Sequence, residues 1–462
     1  MLLQNKKNYL FLIILITGAI LRFYNINYDD FWIDETLTFW ISDPSIQSKI
    51  SFSNHRSIEQ VPYLFNLIVK IYHSIFFYDS NISRFIPATA SILSILTVAY
   101  LARQIEKNNS YLFTAFLISI NIYLISYAQE LRLYSTLFLF TSINLIFYFK
   151  IIEQTKNTRL DLLLFFISSL LTVFIHPFGF IIIFSLITSD VFFMYFKKNN
   201  KSNFLLYFII IVISSLYYYL QINPFYLTPS WLEQINLKFF TNFYFSKFFG
   251  SRLMGLIFLG TLVILTFKFR NLIFQNSKIF MLFNIIFLSY FLPILYSLIF
   301  SPILLSRYII FVIIPIILLI SYFTFKLKRN YKNIIIIFLS VCSISNLATE
   351  ETFKQFYKDR FSYKPDFTGS LKIINDSQKK NYSLLINPAQ KSFNKSWENS
   401  IDNYLSHLIK KNKFLIKKVE FSNNLENVWL ICIHDLNQGN CNKSDIKPIK
   451  TLKLNRIDLM LF

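Results

Sequence analysis

Asp34 and Glu35 stand side by side in NYDDFWIDETLTFW (Asn27 to Trp40), a fourteen-residue stretch that sets four acids among aromatics. Farther on, Gln129, Glu130 and Arg132 interrupt a long apolar run as SYAQELRLYS. His176 precedes Pro177, and Arg307 with Tyr308 opens another apolar run. These residue types do recognisable chemistry: a carboxylate takes a proton from a hydroxyl nucleophile, and a guanidinium fits two phosphate oxygens at once. Each also has a plainer reading. Acids suit a solvated loop, polar residues suit a turn between helices, a lone His is more often structural than catalytic, and an Arg at a helix end snorkels. Against a plain turn, Gln-Glu-Leu-Arg contains none of the usual turn formers Gly, Pro and Asn. An Arg and a Glu kept within one turn of each other at a membrane interface are often a paired functional set.

The elements that must position these residues are membrane helices. The chain has 462 residues, 54% hydrophobic and 15% charged, against roughly 25% charged in soluble domains, and its mean hydropathy is +0.46. Apolar stretches of roughly 18 residues or more recur from Tyr9 to about Leu347, the pattern of a polytopic α-helical membrane protein. The net charge of +21 is then Lys and Arg collected in cytoplasmic loops, and no nucleic-acid partner is expected. Cys342, Cys432 and Cys441 have no metal-ligand spacing. The first apolar run lacks a small-residue cleavage site and reads as an uncleaved span.

The basic residues set the topology. Lys6 and Lys7 precede the first span, about Tyr9 to Leu21, and hold the N-terminus in the cytoplasm, so Asp34 and Glu35 emerge on the outer face. The run Val61 to Tyr78 carries Lys70 and His73, and a charge at mid-span costs roughly 2.5–3.5 kcal/mol. It therefore reads as an amphipathic helix on the outer surface, with the second span at Phe85 to Ala102. Basic residues then mark every second loop: Arg103 and Lys107; Lys150, Lys156 and Arg159; Lys197, Lys198 and Lys201; Lys268, Arg270 and Lys278; Lys326, Lys328, Arg329 and Lys332. The intervening outer turns hold Gln129-Glu130, His176-Pro177, the long loop Asn223 to Phe248, and Phe300 to Arg307. This arrangement gives about eleven spans in a membrane domain over 1–348, with 23–83 as the first outer loop and its surface helices.

From 349 to 462 the chain turns polar, and a small extracytoplasmic α/β domain is expected. YSLLIN, KFLIKKVEF and NVWLICIHD read as strands, and SWENSIDNYLSHLIKK reads as an amphipathic helix. Cys432 and Cys441 lie there, as a disulfide permitted by an oxidising compartment or as two thiols.

The outer face thus gathers the acids of the first loop, a Glu/Arg pair, a His and an Arg. An acid and a phosphate clamp at the outer membrane surface are coherent with attack on a sugar whose leaving group is a lipid phosphate. At these residues the chain resembles a known family. WIDE after the first span, EQVPYLF in the first outer loop, SRFIPA opening the second span and YAQELRLY at the next outer turn occur in that order, with HPFGF and SRYIIF later. The chain is similar to glycosyltransferase family 39, the protein O-mannosyltransferase and lipid A aminoarabinose transferase group, which has a GT-C membrane fold. The resemblance runs from about Tyr9 to Tyr308 and weakly through KPDFTGSLKII. It departs at Gln60-Val61-Pro62, where the family often has Pro-Pro, commonly after His, and at Phe367-Thr368, where a family stretch has Trp-Arg.

Carried over by position, the resemblance makes Asp34 the general base and Glu35 its acidic partner. Gln129, Glu130, Arg132 and Tyr134 line the site with His176 nearby, and Arg307, with Tyr308, meets the donor phosphate. Neighbouring helix residues point about 100° apart, so one base and one structural or acceptor-binding acid are expected rather than a dyad. The implied reaction is inverting transfer of a sugar from a polyprenyl-phosphate donor to a hydroxyl acceptor, as a glycolipid, glycan or protein, on the outer face of the cytoplasmic membrane. Arginine can neutralise a lipid monophosphate, so neither metal nor cofactor is expected. The alternatives are a transporter or flippase of a lipid-linked sugar, which would place charges at mid-span and show internal repeats, and a non-catalytic assembly partner.

Overall fold

The computed structural model describes residues 2–46, 55, 59, 62–153, 158–197, 203–221, 244–349, 364–385, 391–419, 427–434, 441 and 448–462. Most of the long loop from Asn223 to Phe248, the Gln60-Val61 pair, and Lys156, Lys198 and Lys201 of the basic loops lie outside the described residues. Helix α1 (Leu2–Phe23) leads into the first long loop, whose helices include α2 (Ile33–Ile41) and α3 (Tyr63–Ile75). The bundle continues with α4 (Phe85–Ile105), α5 (Ser110–Ser119), α6 (Ile122–Ala128), α7 (Tyr134–Glu153), α8 (Arg159–Ile175) and α9 (Gly179–Lys197). It is completed by α10 (Phe204–Gln221), α11 (Arg252–Lys268), α12 (Ser277–Ile299), α13 (Ile313–Lys326) and α14 (Arg329–Thr349).

Among the described residues, seven helices are long and apolar enough to cross a membrane, and α5 with α6 forms a further apolar pair bent by 56°, an eighth if the two make one span. The bend falls at Asn121, whose side chain accepts the Leu124 N–H at 3.0 Å and so caps α6. The apolar helices α1, α8 and α11, of 22, 17 and 17 residues, pack in the same bundle. The span that ends in α13 is 89% buried and runs through the middle of the bundle, whereas α14 is 11% buried and peripheral. On α10, Phe208, Val212 and Leu216 point outward, an apolar face that suits lipid.

Four of the basic loops meet at one end of the bundle. Lys278 bonds the Gln104 carbonyl and the Glu153 carboxylate, and Lys326 reaches Glu106 at 2.8 Å. Helix α3, of 13 residues, rises about 20 Å at 1.5 Å per residue, short of the roughly 30 Å hydrocarbon core. It packs instead within the loop between α1 and α4, where His73 Nε2 lies 2.9 Å from Ser83 Oγ.

The C-terminal domain holds a five-stranded sheet in the order β2-β1-β3-β5-β4. Its strands are β1 (Asn381–Leu385), β2 (Lys417–Lys418), β3 (Val428–Ile433), β4 (Lys450–Leu454) and β5 (Ile457–Leu461). β1 runs parallel to β2 and β3, and β5 runs antiparallel to β3 and β4. β3 is buried along its whole length, as its run of apolar residues requires of a central strand. The three strands read from the sequence are β1 to β3. The hairpin β4–β5 was not read; it turns on Asn455-Arg456, with Arg456 at φ 55°. Two helices accompany the sheet, α15 (Phe367–Asp376) and α16 (Lys391–Asn412). α16 buries Ile401, Tyr404, Leu405 and Leu408, a helical stripe, and packs this side against α2. Cys432 and Cys441 are joined in a disulfide with a Cα–Cα distance of 5.9 Å, which decides between the two states left open above.

Candidate active site

The site is built around the first turn of α2. Trp32 enters from extended backbone, so Asp34 and Glu35 fall where the helix dipole favours negative charge. Glu35, the third helical residue, folds its carboxylate back onto the Trp32 N–H at 2.9 Å, as in a capping box. The side chains of the two acids then diverge. Glu35 is wholly buried, whereas the Asp34 side chain is 26% exposed.

Glu35 is saturated. Arg84 donates from Nε to Oε1 at 2.9 Å and from Nη2 to Oε2 at 3.1 Å, and Lys364 Nζ donates to Oε2 at 2.7 Å. The Leu131 N–H donates to Oε1 at 2.7 Å. Burial alone would raise this carboxyl, but Arg84 and Lys364 outweigh it and bring it down to about 2, so it stays ionised. Arg84 spends its remaining donors on the carbonyls of Ile26, Asp29 and Asp30. One fully buried guanidinium thereby shapes the loop that leads into α2.

The Gln-Glu-Leu-Arg block wraps this turn, and its members do different work. Arg132 Nη1 lies 3.0 Å from the Asp34 carbonyl, 3.0 Å from Thr38 Oγ1 and 2.9 Å from Glu59 Oε1. Glu59 is fixed in turn by Asn66 at 2.9 Å, and Asn66 also meets His55 Nε2 at 2.8 Å. Glu130 faces the same cluster. Burial raises its carboxyl above the usual range, a shift that Glu35 reinforces and that Lys364, Arg307 and Arg84 oppose. Gln129 turns away: its Nε2 donates to the Tyr24 carbonyl at 3.1 Å, next to the Arg22 carbonyl at 3.4 Å. It thus satisfies the last carbonyls of α1 instead of joining the cluster.

Arg307 enters from the opposite side. Its guanidinium lies 5.7 Å from the ring centres of both Tyr134 and Tyr308, a cation–π setting. Its Nη1 is 3.8 Å from Asp34 Oδ2, an ion pair looser than a hydrogen bond. His176 ends α8 and packs on Tyr308, ring centres 4.9 Å apart. Its Nδ1 accepts the Phe178 N–H at 3.1 Å, which leaves the proton of the neutral ring on Nε2. Burial, then Arg307 and Arg132, push the imidazole down to about 3. The tight start of α9 needs Gly179, since a Cβ there would lie 2.4 Å from the Thr172 carbonyl oxygen.

The C-terminal domain closes the other flank. Asp30 accepts the Thr368 N–H at 2.6 Å and the Thr368 hydroxyl at 2.7 Å, with Tyr404 Oη at 3.2 Å. Asp366 caps α15 by accepting the Gly369 N–H at 2.8 Å. The KPDFTGSLKII stretch is therefore a docking segment, with Lys364 on Glu35 and Thr368 on Asp30.

Asp34, Glu35, Glu130, Arg132, Tyr134, His176, Arg307 and Tyr308 come together at the end of the bundle opposite the basic loops; Gln129 does not join them. Arg84, Glu59 and Lys364 were not singled out from the sequence. Arg84 carried a usable signal, an Arg opening an apolar run at the end away from the basic loops, as Arg307 does. Lys364 had no local signal. His434, Cys441 and Asp458 also lie together in the C-terminal domain, but the disulfide leaves Cys441 no thiolate to offer a metal.

No protein-family model and no curated protein matches the chain. Solved structures do. ArnT from Cupriavidus metallidurans in the apo state matches with a TM-score of 0.63 and 11% identity, over 100% of this chain and 98% of that one. The same protein bound to undecaprenyl phosphate gives 0.59 and 10%, over 97% of both chains. The oligosaccharyltransferase AglB from Archaeoglobus fulgidus, in complex with an inhibitory peptide and a dolichol-phosphate, gives 0.54 and 10%, over 94% of this chain and 70% of its own. With these likenesses spanning the bundle and the C-terminal domain together, the chain has the GT-C membrane fold of ArnT and AglB.

Proposed function

We propose that this protein is an inverting glycosyltransferase that takes a sugar from a polyprenyl-phosphate donor and passes it to an acceptor hydroxyl at the outer face of the cytoplasmic membrane. The observation that carries the reading is the split between the two adjacent acids. Glu35 is buried and consumed by two cations, while Asp34 is open to the site and faces Arg307 at 3.8 Å. ArnT bound to undecaprenyl phosphate and AglB bound to a dolichol-phosphate support a polyprenyl-phosphate ligand for the same fold here.

Asp34 accepts the proton of the acceptor hydroxyl as its oxygen attacks the anomeric carbon. The new carbon–oxygen bond forms on the face opposite the breaking bond to phosphate, which inverts the centre. The bonding pair leaves with the polyprenyl phosphate, whose growing charge Arg307 neutralises. Glu35 touches neither substrate; it positions α2 through Arg84 and Lys364. His176, neutral, holds Tyr308 beside Arg307. No cofactor is called for by this sequence of steps. A transporter or flippase would need its charges along a path across the bundle, and the clustering of this set at one end favours transfer.

The test is transfer by the purified full-length protein from a panel of radiolabelled polyprenyl-phosphate sugars. Asp34→Asn should lower turnover by roughly 10²–10⁴-fold and leave donor binding intact. Wild-type turnover in Asp34→Asn, or no transfer from any donor of the panel by the native protein, would falsify the reading.

A further inference from the structure

An opening lies between the loop that follows α1 and the C-terminal domain, and the transfer steps above do not use it. Its volume is about 480 Å³, within the roughly 300–1,000 Å³ of small-ligand sites. Such sites are lined mainly by apolar side chains, whereas this one is walled mainly by polar ones. Asn27, Asp29 and Asn81 come from the outer loop, and Asp366, Asn412 and Asn455 come from the C-terminal domain. Arg84 forms part of the wall, and the same guanidinium clamps Glu35, the residue next to Asp34. The opening is therefore one side chain away from the proposed site of transfer.

The lining excludes several ligand classes. An anion would meet Asp29, Asp30 and Asp366, and the two cations of the wall are engaged. Arg84 is held by Glu35 and three carbonyls, and Lys411 Nζ lies 2.7 Å from Asn81 Oδ1. A divalent cation needs converging ligands. Asp30 already accepts from Thr368, and Asp366 from Gly369; among the described residues no metal-ligating group gathers here. Side-chain amides and carboxylates instead match neighbouring hydroxyls, which donate and accept at once; Asn27 and Asn412 each give one amide N–H to a carbonyl, of Asn81 and Leu408, and an amide carries two such donors and an acceptor oxygen. Tyr28, 45% exposed, adds an aromatic face against which an apolar ring face can lie.

We infer that this pocket is a saccharide subsite that seats a neutral sugar unit of the acceptor. The word acceptor rests on the transfer reading; the saccharide class rests on the lining alone. The pocket joins the catalytic loop to the C-terminal domain, so an occupied subsite would tie acceptor selection to the domain that also delivers Lys364 to Glu35.

The test is saturation-transfer NMR on the purified full-length protein. The probes are methyl mannoside, N-acetylglucosamine and chitobiose, with glucuronate and inorganic phosphate as anionic controls. At least one neutral sugar should bind, and the double variant Tyr28→Ala/Asn412→Leu should bind it about tenfold or more weakly, the loss of a stacking face and a hydrogen bond. Tyr28→Phe keeps the ring and should bind as the native protein does, which separates loss of the face from loss of folding. Asp34→Asn should also bind normally. In the transfer assay the double variant should raise the acceptor KM and keep kcat. Binding of the anions alone, no binding of any neutral sugar, or an unchanged affinity in the double variant would overturn the inference. Neutral-sugar binding that depends on Tyr28 and Asn412, in a protein that transfers nothing, would sink the transfer reading and leave the subsite standing.

Discussion

Replacing Glu35 by Gln removes one charge from a wholly buried centre and leaves Arg84 and Lys364 without a counter-charge. The carboxylate holds five short donors: two from Arg84, one from Lys364 and the N–H groups of Leu131 and Trp32. Its carboxyl falls from the ordinary 4.5 to about 2, which at 1.36 kcal/mol per pH unit is about 3 kcal/mol of folding free energy. Breaking a buried ion pair from one side costs roughly 3–5 kcal/mol, the same order. Asp34→Asn, by contrast, removes a partly exposed acid whose 3.8 Å contact with Arg307 belongs with surface pairs worth roughly 0–1 kcal/mol. Equilibrium unfolding in detergent should therefore separate two adjacent acids, with Glu35→Gln losing about 3 kcal/mol and Asp34→Asn under about 1 kcal/mol. The pH dependence gives a second check. The folded-state value of Glu35 lies below the unfolded one, so its contribution is complete above pH 4.5 and is lost as the pH falls through about 2. The gap between native protein and Glu35→Gln should narrow in acid. A Glu35→Gln protein within about 0.5 kcal/mol of the native one at neutral pH would refute the structural assignment of Glu35.

Arg307→Lys keeps the charge but loses the planar fork, so donor KM should rise in the transfer assay with folding intact; unchanged kinetics would make Arg307 a helix anchor only. His176, with its imidazole at about 3, is neutral across the working range. The pH–rate profile of His176→Gln should keep the shape of the native one between about pH 5 and 8, and a displaced limb would contradict the assignment. Asp30→Asn sets an amide against the Thr368 N–H and should cost about 1–3 kcal/mol of docking. Limited proteolysis should then release the C-terminal domain faster than from the native protein, and equal rates would count against the docking segment. Cysteine labelling should place Lys70 and His176 outside and Lys107 and Arg329 inside; protection of position 70 from outside reagents would overturn the assigned topology.

The bundle was legible because a lipid-exposed span must be apolar along its whole length. The basic residues were legible because they recur at every second loop, and Lys278 on Gln104 and Glu153, with Lys326 on Glu106, now place four of those loops at one end. The short length of α3 follows from Lys70 and His73, whose charge and polarity oppose a span. In the C-terminal domain, the continuous apolar run of β3 announced a central strand. The β4–β5 hairpin escaped because Lys450–Leu454 is short and holds two Lys and a Thr on an exposed edge, and its turn has no glycine.

The site divides along the same line. The residue types, the adjacency of Asp34 and Glu35, and the break of an apolar run by Gln129, Glu130 and Arg132 are properties of the chain itself. Which acid is free is not. Asp34 and Glu35 are the same chemistry one position apart, and only the arrival of Arg84 from 49 residues away and Lys364 from 329 residues away decides that Glu35 is buried and clamped while Asp34 keeps only the looser pair with Arg307. Gln129 sits in the same block as Glu130 and Arg132, yet the end of α1 claims it, because unsatisfied helix carbonyls take the nearest donor. Local pattern determines what a residue can do, and the long-range pairing of buried charges, which desolvation makes obligatory, determines which residue is left to do it.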